Sequence, residues 1–285
     1  MAESNTLEQI QHHVSTLLKF DVSLTPIETG HSQACFLAKA YKKNFVVKCF
    51  NDTQLLNIEA QALKFGATKQ LTPQVIAKSD TVLVIDFISD ATIRDGYTNP
   101  KDKLLCLTSA LAEFHQVFNN DAAVFPVTQL QFLPVISEIA KNCTLSKTDK
   151  ETLHVVEQIA AQVDGLGLDN CICHGDFNQD NVFCGDTGFT IIDFEAMSIA
   201  PPAYDLMMML SINEFDQAQI NEAVGHYNLS NPTNPITLSN QTLQRLFMLS
   251  NAINGFWYLS KSQSGREENA LFQELASRFL SNVNA

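Results

Sequence analysis

The spacing of apolar residues changes period along the first third of the chain, and each change marks an element. Leu7, Ile10, Val14, Leu17 and Leu18 recur at helical spacing and predict an amphipathic opening helix. Runs rich in β-formers follow at Val22 to Ile27, Ala34 to Tyr41 and Phe45 to Phe50, with Glu28 to Gln33 and Lys42 to Asn44 as turns, so a three-stranded meander is expected. Asn51-Asp52 can cap a helix on which Leu55, Ile58, Ala62 and Leu63 share a face. Val75 to Ala77 and Val82 to Ile88 read as two further strands. Beyond them Leu104, Leu107, Leu111, Phe114 and His115 form a strong apolar stripe, and Ile136 to Ala140, Leu153 to Val163, Tyr204 to Ile212 and Leu243 to Leu259 predict more helices. The expected fold class is α+β, with a small β-rich N-terminal lobe over residues 1–88 and a larger, mainly helical C-terminal lobe over 89–285. A cleft between two such lobes, near Asp86 to Ser89, is the usual location of a small-molecule site.

Composition narrows the class of partner. The 285 residues are 45% hydrophobic, enough for one large core or two lobes. The net charge of −13, from 31 acidic and 18 basic residues, opposes nucleic-acid phosphate or anionic lipid as a main partner and suits a cationic small molecule, while the bland alternative is an acidic surface that simply keeps soluble proteins apart. The opening Met1-Ala2-Glu3-Ser4-Asn5-Thr6 has no basic start and no long apolar stretch follows, so neither a secretory signal nor a membrane span is expected. Seven cysteines without a disulfide-like framework fit a reducing compartment, which places the protein in the cytoplasm. Oligomeric state is not encoded in any pattern of the chain.

The chemistry concentrates in His174-Gly175-Asp176-Phe177-Asn178-Gln179-Asp180-Asn181, followed by Ile191-Ile192-Asp193-Phe194-Glu195. Asp176 and Asn181 stand five positions apart, the spacing of a phosphoryl-transfer loop. Val182 to Cys184 and Phe189 to Ile192 are β-forming runs joined by Gly185-Asp186-Thr187-Gly188, so a hairpin is expected. Antiparallel pairing then brings Asn181 and Asp193 opposite each other or one register apart, with Cβ atoms roughly 5 to 8 Å apart. One amide and one carboxylate suit Mg²⁺, which completes its shell with substrate phosphates and water. The bland alternative is a surface hairpin with polar ends. Cys171, Cys173, His174 and Cys184, within fourteen residues, raise a competing zinc reading. Spacing argues against it, because Cys171-Ile172-Cys173 is too tight for a zinc knuckle, no second cysteine pair follows, and buried Cys usually acts as a small hydrophobe.

A nucleotide site also needs local positive potential in this acidic chain. Lys48 lies in Phe45-Val46-Val47-Lys48-Cys49-Phe50, where alternation turns it to the same face as Val46. A lysine among apolar strand residues needs a mate, and Glu59, on the inward face of the next helix, is the candidate. The plain alternative is an edge-strand lysine and a solvated glutamate.

These residues resemble the aminoglycoside phosphotransferase and choline kinase superfamily of protein-kinase-like enzymes. The resemblance spans nearly the whole chain and is carried by Cys173-His174-Gly175-Asp176-Phe177 through Asn181, by Ile192-Asp193-Phe194-Glu195 and by Pro202-Ala203-Tyr204-Asp205-Leu206. It implies a bilobal fold that uses ATP and Mg²⁺, with Asp176 as catalytic base and Asn181 and Asp193 as magnesium ligands. It further implies Lys48 on the α- and β-phosphates held by Glu59, and His174 and Asp205 as supports of the catalytic loop. Gly30 and Ser32 match a phosphate-covering turn of which Gly30 is the only glycine. Asp86-Phe87-Ile88 would offer backbone groups to adenine, with Val46, Phe183 and Ile192 around its ring.

Neither a Walker sequence nor a dinucleotide fingerprint occurs. Gly175 stands where a protein kinase carries an arginine, and the seven residues between Asp193 and Pro201 leave no room for an activation loop, so small-molecule acceptors are favoured. Trp257, in Asn251 to Leu259, resembles the late Trp-containing helix of choline kinases. A cation over Trp257 or Tyr258 gains roughly 0.5 to 2 kcal/mol, and Glu195 or Asp180 adds attraction. Ala196 departs from the aromatic residue that choline kinases carry after Asp-Phe-Glu. The expected acceptors are choline or ethanolamine, then thiamine, then an aminoglycoside or sugar. A nucleotide-binding pseudokinase scaffold is the alternative of another class, disfavoured because a scaffold has no chemical need for Lys48, Glu59, Asp176, Asn181 and Asp193 together.

Overall fold

A computed structural model describes residues 6–27, 33–41, 43–119, 125–186, 188–264 and 269–283. Its contacts fall into two compact units, one made of residues 1–92, 123–126 and 181–195, the other of 93–122, 127–180 and 196–285. Strands and helices are numbered in chain order throughout.

The first unit opens with α1 (Leu7–Leu18), whose Thr6 and Gln9 form a reciprocal capping box. Strands β1 (Ser23–Ile27), β2 (Ala34–Lys39), β3 (Asn44–Cys49), β4 (Val75–Lys78) and β5 (Val82–Asp86) make an antiparallel sheet in the order β1-β2-β3-β5-β4. Alternation gives β3 two faces. Phe45 and Val47 join Val14, Val22, Leu24, Phe36, Ala38, Val82 and Val84 in one apolar cluster with α1, which leaves Val46 and Lys48 on the other face.

Helix α2 (Thr53–Thr68) is capped by Asp52, as its sequence predicts. Its buried residues are Leu56, Glu59, Ala60, Ala62, Leu63 and Gly66, with Leu56, Glu59, Ala60 and Leu63 spaced i, i+3, i+4, i+7. Of the expected stripe Ala62 and Leu63 are buried and Leu55 and Ile58 half-buried, so the inward face is turned slightly toward Leu56, while Glu59 stays inward in both. Short β6 (Ala91–Thr92) pairs with β8 (Val182–Gly185), and β8 pairs with β9 (Gly188–Ile191) in the predicted hairpin. Val182 faces Ile191, so by extension Asn181 faces Ile192, and Asp193 is one register past it. The backbone N–H of Ile191 donates to the carbonyl of Leu71 at 2.8 Å, which ties the hairpin to the chain just after α2.

The second unit contains α3 (Ile93–Gly96), α4 (Pro100–Asn119), α5 (Phe132–Lys141), α6 (Lys147–Asp164), β7 (Cys171–Cys173), β10 (Ser198–Ala200), α7 (Pro202–Ile212), α8 (Ile220–Ser230), α9 (Asn240–Ser262) and α10 (Asn269–Val283). Helix α7 is buried on every side from Ala203 to Ser211, as a helix that is apolar all round must be. It packs on α4, α8, α9 and β7. Short β7 pairs antiparallel with β10, with Cys171 opposite Ala200, and delivers the chain directly into His174. Helices α3, α8 and α10 and strands β6, β7 and β10 were not expected. No disulfide links any of the seven cysteines, and no helix among the described residues is long and apolar enough to cross a membrane.

Candidate active site

In the first unit β3 is a central strand, with Lys48 opposite Cys35 of β2 and Leu83 of β5. Only 7% of Lys48 is exposed, so its charge must be met by protein. Its Nζ lies 2.7 Å from Glu59 Oε1 and 2.7 Å from Asp193 Oδ1. One ammonium therefore holds two carboxylates, a pairing expected for Glu59 and a second partner that the sequence did not disclose.

Burial alone would lower the Lys48 pKa, yet the charges of Glu59 and Asp193 raise it well above the usual lysine range. Burial pushes Glu59 up to about 7, with Lys48 opposing and Asp193 reinforcing the rise. The Lys48 rise follows from its two acids, and the Glu59 rise from burial that its one cation only partly offsets. Glu59 Oε2 is buried and meets no hydrogen-bond donor among the described residues.

Asp193 has a backbone φ of 70°, a left-handed conformation that is costly for a residue with a side chain. That bend turns the chain out of the β9 direction where the carboxylate meets Lys48. Asn181 is buried, and its carbonyl accepts the N–H of Ile192 at 3.0 Å, so amide and carboxylate leave adjacent rungs of one hairpin. Phe183, Ile192 and Val46 are half-buried in the same unit. Asp86 ends β5 and pairs with Lys43 at 2.7 Å, while Phe87 and Ile88 follow outside the strand. Glu195 Oε2 accepts a hydrogen bond from Gln33 Nε2 at 3.2 Å. Gly30 and Ser32 lie outside the described residues.

The second unit holds Asp176 on the loop after β7. Gly175 has a φ of 81°, and a Cβ there would lie 2.3 Å from the carbonyl oxygen of Ala196, so glycine is required twice over. Asp205 of α7 is fully buried. Its Oδ2 accepts the N–H of His174 at 2.7 Å and lies 3.0 Å from His115 Nε2, and its Oδ1 accepts the N–H of Gly175 at 2.9 Å. Burial would raise its pKa, but the bond and charge of His115, the charge of His174 and the Gly175 N–H hold it below the usual carboxylate range.

Further bonds fix the loop. His174 Nδ1 accepts the Asp176 N–H at 3.3 Å, and Asp176 Oδ1 accepts Asn178 Nδ2 at 3.2 Å. Phe177, fully buried, sets its ring at 88° to His174, 5.3 Å away. Asn213, at the end of α7, accepts the Gln179 N–H at 2.7 Å and donates to the Phe177 carbonyl at 3.0 Å.

The residues nominated for a cationic acceptor are already engaged. Asp180 forms an ion pair with Arg94. Lys261 Nζ sits 4.9 Å from the centre of the Trp257 ring. Tyr258 stacks parallel on Phe279 at 5.6 Å, and burial first, then the Asp176 carboxylate, raises its pKa. Arg94, His115, Asn213 and Gln33 had not been singled out as site residues. Only His115 carried a signal, as a polar residue on an otherwise apolar stripe.

The model of the phosphotransferase enzyme family matches residues 23–235 of the chain. No curated protein sequence matches it. Among solved structures, the choline kinase LicA from Streptococcus pneumoniae superposes with a TM-score of 0.75 at 18% identity, covering 97% of this chain and 98% of that one. LicA in complex with AMP gives 0.71 at 18% identity over 97% of both chains. The ethanolamine kinase from Plasmodium vivax gives 0.65 at 13% identity over 93% of this chain and 82% of that one. A thermostable mutant of the aminoglycoside phosphotransferase APH(4)-Ia gives 0.69 at 13% identity over 95% and 98%. At such identities the likeness is one of fold, and it is the expected mixed fold, β-rich at the N-terminal end and helical beyond.

Proposed function

This chain belongs to the phosphotransferase enzyme family, and we propose that it is an ATP- and Mg²⁺-dependent kinase that transfers the terminal phosphate to a hydroxyl of a small, cationic acceptor of the choline or ethanolamine kind. The observation that carries the reading is Lys48, buried on a central strand and bonded at 2.7 Å to both Glu59 and Asp193. A structural lysine needs one partner; one that must also face phosphate charge gains from a second carboxylate whose real counterion is a metal nucleotide. The hard oxygens of Asn181 and Asp193 fit Mg²⁺, which when bound neutralises phosphate charge.

The chain's own residues then divide the work. Lys48, kept charged by its two acids, binds phosphate oxygens, and Glu59 fixes its direction. Backbone groups of Asp86 to Ile88 receive adenine, with Val46, Phe183 and Ile192 against the ring. Asp176 orients the acceptor hydroxyl and takes its proton as the phosphoryl group moves. His174 and Asp205 hold the loop that carries it. Glu195, Asp180, Trp257 and Tyr258 are the acceptor candidates.

A second reading, a sugar-like or aminoglycoside acceptor, is favoured by two observations: Lys261 already covers Trp257, and Arg94 already neutralises Asp180. ADP release measured with choline, ethanolamine, thiamine, several sugars and kanamycin tests both. Turnover with an amino alcohol supports the first reading, and turnover confined to polyhydroxylated acceptors supports the second. A magnesium-dependent ATP thermal shift without ADP release on any acceptor would point to a nucleotide-binding scaffold instead.

A further inference from the structure

We propose that His115, Cys171 and Cys173 form a binding site for one thiophilic metal ion of the zinc class, chemically distinct from the hard-oxygen pair Asn181 and Asp193. Residues two apart on a strand point to one face, so β7 sets both thiols side by side with their sulfurs 3.8 Å apart. Helix α4 brings the imidazole of His115 to them, and one ligand atom from each of the three lies within 4.8 Å of the others. A tetrahedral zinc with Zn–S bonds of about 2.3 Å has its sulfurs roughly 3.8 Å apart, so the thiol pair already has the required edge. For Cys171, Cys173, His174 and Cys184 the tight Cys171-Ile172-Cys173 spacing and the lack of a second cysteine pair argued against zinc. The third donor comes instead from a helix far upstream, which no local spacing rule reveals.

The donor set selects the metal. Two thiolates and an imidazole favour zinc, cadmium or copper(I) over magnesium. All three side chains are buried, where an ionised thiol is costly alone but a dication with two thiolates and a neutral imidazole carries no net charge. Binding exchanges protons for metal: the ion enters, the imidazolium proton of His115 and whatever thiol protons remain on Cys171 and Cys173 leave, and nothing is oxidised.

Asp205 Oδ2 lies 3.0 Å from His115 Nε2, and the Tyr227 hydroxyl oxygen 2.7 Å from Nδ1. Ligation therefore exchanges one of these partners for the ion, and the other orients the ring, as outer partners of metal-bound histidines do. Tyr227 keeps a second bond, from Asn231 Nδ2 at 3.1 Å, if it is the one displaced. In the metal-free state the Cys173 thiol donates to the carbonyl of Ala200 at 3.3 Å.

The test uses the full chain, stripped with a chelator and titrated with Co²⁺ in excess Mg²⁺. One equivalent is expected to give thiolate-to-cobalt charge transfer and tetrahedral d–d absorption, both removed by one equivalent of Zn²⁺. Cys171→Ala and Cys173→Ala should lose the bands, and Cys184→Ala should keep them. Zinc K-edge absorption of the wild-type protein should show two sulfurs and at least one nitrogen. This arm needs no variant to fold and does not depend on kinase activity. No thiolate band in the folded wild-type protein, an oxygen-only zinc shell, or bands that survive both cysteine substitutions would overturn the site.

Discussion

Lys48 Nζ lies 2.7 Å from Asp193 Oδ1, across 145 positions of sequence, and Glu59 takes the same ammonium at the same distance. Lys48→Ala leaves Glu59, 1% exposed, without its counterion. Stability is expected to fall by about 3 kcal/mol and turnover by at least about 100-fold. Urea denaturation and ADP release measure the two losses, and a variant near wild-type in both would remove the basis for the nucleotide site.

Asp176 and Asp193 are expected to fail differently. Asp176→Asn should keep magnesium-nucleotide affinity and lose turnover by about 100-fold or more, whereas Asp193→Ala should weaken nucleotide binding itself. Calorimetric titration with a non-hydrolysable ATP analogue separates them. Unchanged turnover in both refutes the assignment.

Gly175→Ala forces a methyl to within 2.3 Å of the Ala196 carbonyl oxygen on a backbone with a φ of 81°. The expected cost exceeds about 1 kcal/mol of stability. Gly167→Ala is the control, because its φ of 61° brings the same backbone strain but nothing lies within 4 Å of the new Cβ. Equal losses of melting temperature in the two variants would show that the clash is relieved.

His115 and Cys171 shift in opposite senses in the metal-free protein. Burial would lower the His115 pKa, but Cys171, Tyr227 and the Asp205 bond raise it well above 6.5. Its contribution to stability is therefore full below 6.5 and is lost as pH rises through the folded value. Cys171, lowered from 9.0 to about 6, contributes above 9.0 and loses that contribution as pH falls through about 6. Above 6.5 the two slopes oppose each other. Cys171→Ala removes the opposing slope together with the largest cause of the His115 rise, so only the fall sustained by Tyr227 and the Asp205 bond should remain, at most about 1.4 kcal/mol per pH unit above neutrality. Urea midpoints from pH 6 to 9 read it, and a profile parallel to wild type would contradict the buried charge pair.

Lys261→Met uncovers Trp257. If the acceptor is cationic and uses that ring, its KM should fall by roughly 2- to 5-fold, the worth of an exposed cation–π contact. The KM of an uncharged sugar should not move. No change for choline or ethanolamine would remove Trp257 from the acceptor site.

Local pattern disclosed much of this. The meander, the capped α2 and the hairpin at Val182 to Ile191 follow from periodicity and turn residues, because each is decided within a few neighbours. Short β7 and β10 are missed because three-residue strands have no period to read, and the α2 stripe is turned because sheet contacts choose among apolar residues that a helical wheel ranks equally. The second carboxylate on Lys48 and the joining of His115 to Asp205 and Cys171 depend on elements far apart in sequence. The cover on Trp257 is different. Lys261 stands one helical turn after it, a pairing that i, i+4 spacing makes readable.

The hairpin of Asn181 to Glu195 packs with the unit built from the first 92 residues, though some ninety positions of other chain intervene. That unit is therefore not finished in the order in which a ribosome makes it. Until Glu195 has emerged, Lys48 has one acid rather than two and the Leu71 carbonyl lacks its Ile191 donor. A fragment cut after Thr92 should behave as an open, protease-sensitive sheet, and adding the missing hairpin as a separate peptide is the direct way to watch it close.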